Sequence, residues 1–347
     1  MLPIIRLPRS VQLRLTSTAS ALLQPPHGPQ VDFSRPWGEE ALASPDSISW
    51  RIFKNPIALM VGGIAAVILE LAEPAVRTGV WQHSSFQKDP VGRLRRTGMA
   101  AMVTVYGARS ISEPMIAGVV RMHARVAGET PAGEAFSATD ARLLRWVHTT
   151  ASFGFGEAYN RYVSPLSQLD FDRLYREGAP AARLYGAYDT PRSAADVHTL
   201  FDSMQGRLEP SDIVFEFLRI MRVTPALPAP LRWIQPLLVS AAVEMIPDWI
   251  RACLGLTARH GLRAPQTLMV RLAGAVSDRI VIPDSPPTVS CQRLGLPKGY
   301  LWGRGSPQNI PPAHDADRPE PFIDDGHAGD PMVEQQRNGI VDGPVRL

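Results

Sequence analysis

Apolar and polar positions along residues 46–282 follow the three-to-four-residue spacing of amphipathic helices. Runs of period-two alternation bounded by hairpin turns, which would indicate strands, are not found in this sequence. The pattern therefore predicts an all-α fold, broadly a single helical-bundle domain. In its second half it predicts helices over residues 159–166, 170–177, 193–204, 211–221, 231–244 and 265–280.

The most apolar stretch is the run from Pro56 to Ala72. It is just long enough to cross a bilayer, but it contains Glu70 and two adjacent glycines, and it ends before Pro74. A buried core helix is the favoured interpretation. A helix that is inserted in a membrane or lies on one is the alternative.

The two ends of the chain lack this periodicity. Residues 1–45 carry scattered proline, glycine and serine, and the first 31 residues hold three arginines and no acidic residue. They are typical of a transit peptide, a flexible leader or a mis-assigned start. Residues 283–347 are rich in proline and acidic residues and predict a largely disordered tail, with Leu301 and Trp302 as candidates for packing back. The predicted domain is therefore residues 46–282.

Composition narrows the class of protein. A chain of 347 residues with 45% hydrophobic residues buries a sizeable core. Its 36 basic and 33 acidic residues nearly balance, and no basic stripe with interleaved aromatics is found, so nucleic acid is not an expected partner. Cys253 and Cys291 lie far apart and form neither a zinc nor a redox pair, which indicates a reducing, cytoplasmic compartment.

Motifs of the highly specific kind are not found in the sequence. It contains no dinucleotide-binding Gly-x-Gly-x-x-Gly, no phosphate-binding Gly-Lys-Ser/Thr loop, no His-Glu-x-x-His and no Gly-x-Ser-x-Gly elbow. The corresponding enzyme classes therefore have no support, and the candidate chemistry rests on single histidines and arginines.

His123 is the first of these candidates. A helix is predicted from Ser112, as N-cap, to Ala127, with Gly128 as its C-terminal stop, and it places His123 on an apolar face. A buried neutral imidazole needs a hydrogen-bond partner or a metal. The alternative interpretation is an ordinary core histidine whose hydrogen bonds are satisfied.

Two neighbouring segments carry the other candidates. Residues 79–90 are polar and predict a loop, which leads into a helix where Arg93 and Thr97, four residues apart, share a face. A solvated basic patch is the alternative interpretation of that face. Downstream, residues 137–140 predict a capped helix start, and the helix carries His148 at the edge of its apolar face.

A haem needs fewer protein ligands than other iron sites do. Four-helix di-iron sites need Glu-x-x-His pairs, and neither His123 nor His148 has a glutamate three residues before it. A site of two histidines and one carboxylate stays open. A haem needs one neutral imidazole, an apolar slot and cationic side chains for its propionates, and this chain can supply all three.

An ordered series of motifs over roughly residues 55–280 resembles one known family. The family is that of the haem-dependent rubber oxygenases (latex clearing proteins) and the fungal endoplasmic-reticulum oxygenase of mycophenolic acid biosynthesis. The matching residues are Gln82-His83-Ser84-Ser85-Phe86, Asp89-Pro90-x-x-Arg93-x-x-x-Thr97, Val120-x-x-His123-x-x-Val126-x-Gly128, Ala138-x-Asp140-x-x-Leu143-Leu144-x-Trp146-Val147-His148, Tyr159-x-x-Tyr162, Tyr175-x-Glu177, Gly186, Pro191 and Met204.

The resemblance implies an all-α fold that holds haem b, with His123 as the proximal iron ligand and with Arg93 and Thr97 near the haem. The distal lysine of the rubber oxygenases corresponds here to Arg96, and their distal glutamate has no match in the sequence, so the rubber-cleaving mechanism does not transfer. His148 would lie at the haem edge or serve as an alternative ligand.

The expected function is thus a haem b-dependent oxygenase that acts on an apolar, isoprenoid or lipid-like substrate with dioxygen. Residues 56–72 would line the access channel or touch a membrane. The alternatives are a haem-binding protein without turnover and a metal-free helical interaction module. Oligomeric state, electron source and product are not given by the sequence.

Overall fold

The computed structural model describes Ile5 and residues 30–303 of the chain. In this part of the chain the fold is mainly helical, with one small two-stranded sheet, so the predicted all-α class is confirmed. The α-helices, in chain order, are α1 Ile48–Phe53, α2 Pro56–Ala72, α3 Pro74–His83, α4 Pro90–Tyr106, α5 Arg109–His123, α6 Ala141–Tyr162, α7 Gln168–Leu184, α8 Ala194–Ser203, α9 Asp212–Val223, α10 Gln235–Met245, α11 Asp248–Cys253, α12 Ala264–Ser277 and α13 Pro286–Arg293. The strands are β1 Ala127–Glu129 and β2 Ala135–Ser137, and 3-10 turns span Ala229–Ile234, Ala258–His260 and Tyr300–Trp302.

Helix α2 is the central helix of the core. The side chain of Asn55 accepts hydrogen bonds from the first free backbone N–H groups, and Pro56 occupies the first helical position, where it lacks no needed donor. Ten of the 17 residues of α2 are buried. The run is therefore a buried core helix, and its apolar side chains pack against the rest of the fold.

Helices α2 and α6 touch backbone to backbone at two glycines. A β-carbon placed on Gly62 would lie 2.7 Å from Phe155 Cα, and one on Gly154 would lie 2.5 Å from the carbonyl oxygen of Gly62. Trp146 Nε1 donates a hydrogen bond to the carbonyl oxygen of Leu69 at 3.3 Å, so the two helices run antiparallel. This crossing brings the last turn of α2 beside the second turn of α6.

Three local predictions around the candidate histidine are wrong. Ser112 does not begin α5, because its hydroxyl donates to the carbonyl oxygens of Val103 and Ala108 from inside the first turn. The helix ends at His123, and Gly128 belongs instead to β1, which pairs with β2 through Ala127 and Ser137. Strands of three residues are too short to show a period of two.

The predicted loop over residues 79–90 is also wrong in its first half. Helix α3 continues to His83, because the side chain of Glu73 caps its first turn and Trp81 packs on Phe86 with ring centroids 6.0 Å apart. Only the segment between His83 and Pro90 is a turn. Polar residues on the exposed side of a surface helix concealed the helical pattern here.

The described fold extends beyond the predicted domain boundaries of 46 and 282. Phe33 and Ala41 are buried in the core, and the fully buried Arg293 donates to the carbonyl oxygens of Glu39, Phe33 and Tyr106. Leu301 is buried as well. The remainder of the leader, apart from Ile5 and residues 30–45, and the tail beyond residue 303 lie outside the described residues.

The described helices are short or too polar to cross a membrane one at a time. Within that part of the chain, no single helix has both the length and the hydropathy of a membrane span. Helices α2 and α3 together have the length and hydropathy of a span, but the chain bends by 111° between them.

Candidate functional site

Four polar side chains from four helices converge within the helical fold. Glu70 lies in the last turn of α2, Arg93 in the first turn of α4, His123 at the C-terminal residue of α5 and His148 in the second turn of α6. The charge of Arg93 acts on the pKa values of both Glu70 and His123. His148 is included because Trp146, two residues before it, donates to the carbonyl oxygen of Leu69, which is the neighbour of Glu70. We call these four residues the polar cluster.

The polar cluster consists of ionisable groups that are largely withdrawn from solvent. Burial is the largest influence on the pKa of each member. Each side chain nevertheless keeps part of its surface accessible. A few ionisable groups with shifted pKa values that lie close together are typical of ligand-binding and catalytic sites.

Glu70 is the unexpected member of the cluster. Burial raises the pKa of its carboxyl to about 7, although the positive charge of Arg93 lowers it. Within the described part of the chain the carboxyl has no hydrogen-bond or ion-pair partner. An unpaired buried carboxylate is costly, so the group is held near neutrality and can carry or release a proton at physiological pH.

His123 is held neutral and has an unused nitrogen. Burial, and then the positive charge of Arg93, lower the pKa of its imidazole. Among the described residues its Nδ1 atom, which is buried, has no hydrogen-bond partner. A buried polar atom without a partner is uncommon in folded proteins, and a ligand, an ion or a water molecule would satisfy it. The expectation of a core histidine whose hydrogen bonds are satisfied is therefore not met.

His148 lies deeper than His123. Burial alone lowers the pKa of its imidazole to about 4, so it is neutral at physiological pH. Its ring packs beside Gly178 of α7, where an added β-carbon would lie 3.6 Å from Nε2. Arg145, three residues earlier and on the same face of α6, has a buried Nε atom without a hydrogen-bond partner. His148 is thus a second neutral imidazole, and Arg145 lies on the same face of helix α6.

Two of the residues expected at the site point elsewhere. Thr97 is exposed, and its hydroxyl donates to the carbonyl oxygen of Arg93 at 2.9 Å. Arg96 is exposed too, and its guanidinium donates to Asp89 and to the hydroxyl of Ser85 at 2.5 Å. Their assignment to the chemistry stays a prediction, without support from their positions.

The polar cluster fits a haem better than a site built from several protein ligands. Within the described residues, no group of three or more His, Cys, Asp or Glu side chains is placed to hold a metal ion. A haem needs one neutral imidazole, and burial and the charge of Arg93 favour the neutral form of His123. It also needs cations near its propionates, and among the described residues the Nε atoms of Arg95 and Arg145 are buried without hydrogen-bond partners.

Comparison with protein families decides the relationship. The profile described as "ER-bound oxygenase mpaB/B'/Rubber oxygenase, catalytic domain" matches residues 50–277, which is well over half of the chain. The chain belongs to this family. As a member of the mpaB and rubber oxygenase family it carries an oxygenase catalytic domain, and all four members of the polar cluster lie within the matched residues. Comparison with curated proteins and with solved structures gives no match.

Sequence reasoning missed Glu70 as a site residue of this mpaB and rubber oxygenase family member. The signal was present, because a single acidic residue in the most apolar run of a chain has to be compensated. Its proximity to Arg93, 23 positions later, comes from the arrangement of α2 and α4, which periodicity does not reveal. Arg95 and Arg145 were missed for the same reason.

Proposed function

We propose that this chain is a haem b-dependent oxygenase that oxidises an apolar, isoprenoid or lipid-like substrate with dioxygen. Membership of an oxygenase family supports the reaction class. The observation that carries the proposal is the polar cluster, in which the unpartnered Nδ1 of His123 lies near Arg93 and Glu70 inside a helical fold.

Each member of the cluster has a role that follows from its chemistry. Bound haem would supply an iron that activates dioxygen. His123 would hold the iron, since its lowered pKa keeps the imidazole neutral and able to ligate. Arg93 keeps a cationic donor beside the pocket. Glu70, with a pKa of about 7, would take up or release a proton as substrate is oxidised.

The surroundings of the cluster support an apolar substrate. Ile68, Leu69 and Leu71 of α2, which flank Glu70, are buried, as is Trp146 beside His148. An apolar lining with a few polar groups is typical of sites for apolar small molecules. A cytoplasmic location is part of the proposal, supported by the unpaired state of Cys253 and Cys291.

Substrate-dependent oxygen uptake tests this function. Haem-loaded protein is incubated with a reductant and either short polyisoprenes or unsaturated fatty acids, and products are identified by mass spectrometry. We expect uptake that requires substrate. Glu70→Gln should lower turnover roughly a hundredfold at unchanged haem content, in the range of general acid–base effects. Glu134→Gln, an exposed carboxyl in β-hairpin residues 127–137, is the matched control.

A haem-binding protein without turnover is the second candidate. The burial of His148 favours it specifically, because His148 is a second neutral imidazole in the cluster and would be able to hold the haem iron as well as His123. Haem-loaded protein that takes up no oxygen with any of the substrates would support this candidate and overturn the oxygenase.

A further inference from the structure

Helix α12 presents an apolar stripe to solvent. Its large apolar side chains that are exposed are Leu268 at 68%, Met269 at 41%, Leu272 at 63% and Val276 at 37%. Positions 268, 272 and 276 are successive turns of one helix face. The opposite side of α12 is fixed in the core, because Val270 is fully buried and Gly274 packs against the backbone of Tyr162. The stripe is therefore a rigid outer surface.

The exposed charge beside this stripe is positive. Arg259, Arg263 and Arg271 are exposed. Arg271 lies next to the stripe, and its Nε donates to the carbonyl oxygen of Arg161 at 3.1 Å. The neighbouring acidic groups are partly buried and engaged, because Asp278 pairs with Lys54 and Glu244 accepts from a backbone N–H group. An apolar face with exposed arginines beside it complements an anionic, apolar-cored partner.

Ile5 contacts the chain just after the C-terminal end of α12. Its backbone N–H donates to the carbonyl oxygen of Arg279 at 3.0 Å, and Ile5 pairs with Ile280. The first 31 residues, to which Ile5 belongs, contain three arginines and no acidic residue. The sequence around Ile5 is thus basic.

We propose that the stripe on α12 docks this protein on the surface of an anionic lipid bilayer. The stripe runs over only nine residues. It is roughly 13 Å long and about 10 Å wide, on the order of 130 Å², which is far below the approximately 800 Å² per partner that a stable protein dimer buries. Leucine and methionine side chains of that extent enter the outer part of a bilayer, while arginines pair with lipid phosphates. Residues 56–72 do not serve this purpose, since they form the core. The docking does not depend on haem.

Vesicle co-sedimentation of the purified full chain tests this docking. Vesicles of phosphatidylcholine alone are compared with vesicles that also contain phosphatidylglycerol. We expect binding to the anionic vesicles only, and weaker binding when salt is raised from about 0.1 M to about 1 M. The double variant Leu268→Gln, Leu272→Gln should lower the bound-to-free ratio roughly tenfold or more, because each leucine loses an apolar environment.

Matched variants separate this surface from others. Leu169→Gln, Val223→Gln removes two apolar side chains that are 64% and 65% exposed elsewhere, and it should bind as the native chain does. Arg259→Gln, Arg263→Gln should lower binding to anionic vesicles. Circular dichroism checks that all variants stay folded. Native protein that does not bind anionic vesicles would overturn the proposal. So would a Leu268→Gln, Leu272→Gln variant that binds them as well as the native protein does.

Size-exclusion chromatography with light scattering distinguishes the other occupants. A native dimer that Leu268→Gln, Leu272→Gln converts to a monomer would assign the stripe to a second copy of the chain and contradict membrane docking. Deletion of residues 1–29 that increases vesicle binding would mean that the leader covers the stripe, and it would also contradict the proposal. Haem content is measured in parallel, and its loss leaves the expected vesicle binding unchanged.

Discussion

Glu70 and His148 are two buried ionisable groups whose pKa values are shifted in opposite directions. Their contributions to the pH dependence of the free energy of unfolding therefore have opposite signs. Burial raises the pKa of Glu70 from 4.5 to about 7 and lowers that of His148 from 6.5 to about 4. Between pH values of about 4.5 and 6.5, folding thus keeps a proton on Glu70 that the unfolded chain would release. Over the same range, folding removes a proton from His148 that the unfolded chain would hold.

When one of the two groups is removed, the pH dependence of the free energy of unfolding should show the contribution of the other. In haem-free Glu70→Gln, His148 remains, and the free energy of unfolding should rise with pH across this window by about 1.4 kcal/mol per pH unit relative to the native chain. In His148→Gln, Glu70 remains, and the free energy should fall by a similar amount. Urea unfolding at several pH values measures both slopes, and identical slopes in all three proteins would rule out the burial described for this pair.

Arg93 and Arg96 provide a matched pair of cations on one helix turn. Arg93 lies in the polar cluster, whereas Arg96 is engaged with Asp89 and Ser85 at the surface. Loss of a charge-assisted contact costs about 1.5–3 kcal/mol, so Arg93→Gln should weaken haemin binding by roughly tenfold or more. Arg96→Gln should leave the affinity unchanged. Haemin titration followed by absorbance provides the comparison, and equal losses in both variants would contradict the placement.

At the scale of elements, the backbone contact between α2 and α6 positions Glu70 against the second turn of α6. Gly62 and Gly63 are neighbours on α2 with different surroundings. A β-carbon on Gly62 meets backbone atoms of α6 within 3 Å, whereas one on Gly63 meets only a side-chain atom of Phe155 at 3.8 Å. The close approach depends on the first glycine and not on the second.

Alanine at these two positions should have effects of opposite sign. Gly62→Ala forces α2 and α6 apart and should lower the free energy of unfolding by about 1–3 kcal/mol, the usual cost of overpacking. Gly63→Ala should be neutral or raise it by up to about 1 kcal/mol, since alanine favours the helix. Urea denaturation of both variants tests this. A stable Gly62→Ala protein would show that the two helices do not meet as closely as described.

Local signals in the sequence were sufficient to predict a helix where a proline or an apolar run marks its boundary. Pro56 marks the start of α2 as the apolar run predicts, whereas α6 begins three residues later than the predicted capping box, because Ser137 belongs to β2 and Asp140 is the N-cap. The hairpin of residues 127–137 and the continuation of α3 to His83 were missed, because their stability comes from pairing and from packing on distant residues. The polar cluster was found in part, since two histidines and an arginine were recognisable, but Glu70 gains its meaning only from tertiary contact.

At the scale of the whole molecule, the site and the proposed docking surface are built in different ways. The polar cluster is assembled from α2, α4, α5 and α6, and the Nδ1 atom of its His123 is buried without a hydrogen-bond partner among the described residues. The stripe on α12 is outward-facing and continuous along one helix. An oxygenase of apolar substrates that docks on a bilayer would reach its substrate without releasing it to water.

Haem content of the purified protein is the most direct test of the central claim that the polar cluster is a haem pocket. Protein from cells supplied with a haem precursor should show a Soret band and about one iron per chain. His123→Ala should lose both while it keeps its helical circular dichroism, and His83→Ala, an exposed histidine on α3, should keep both. A native protein without a Soret band or iron, or a His123→Ala protein that retains them, would contradict the account.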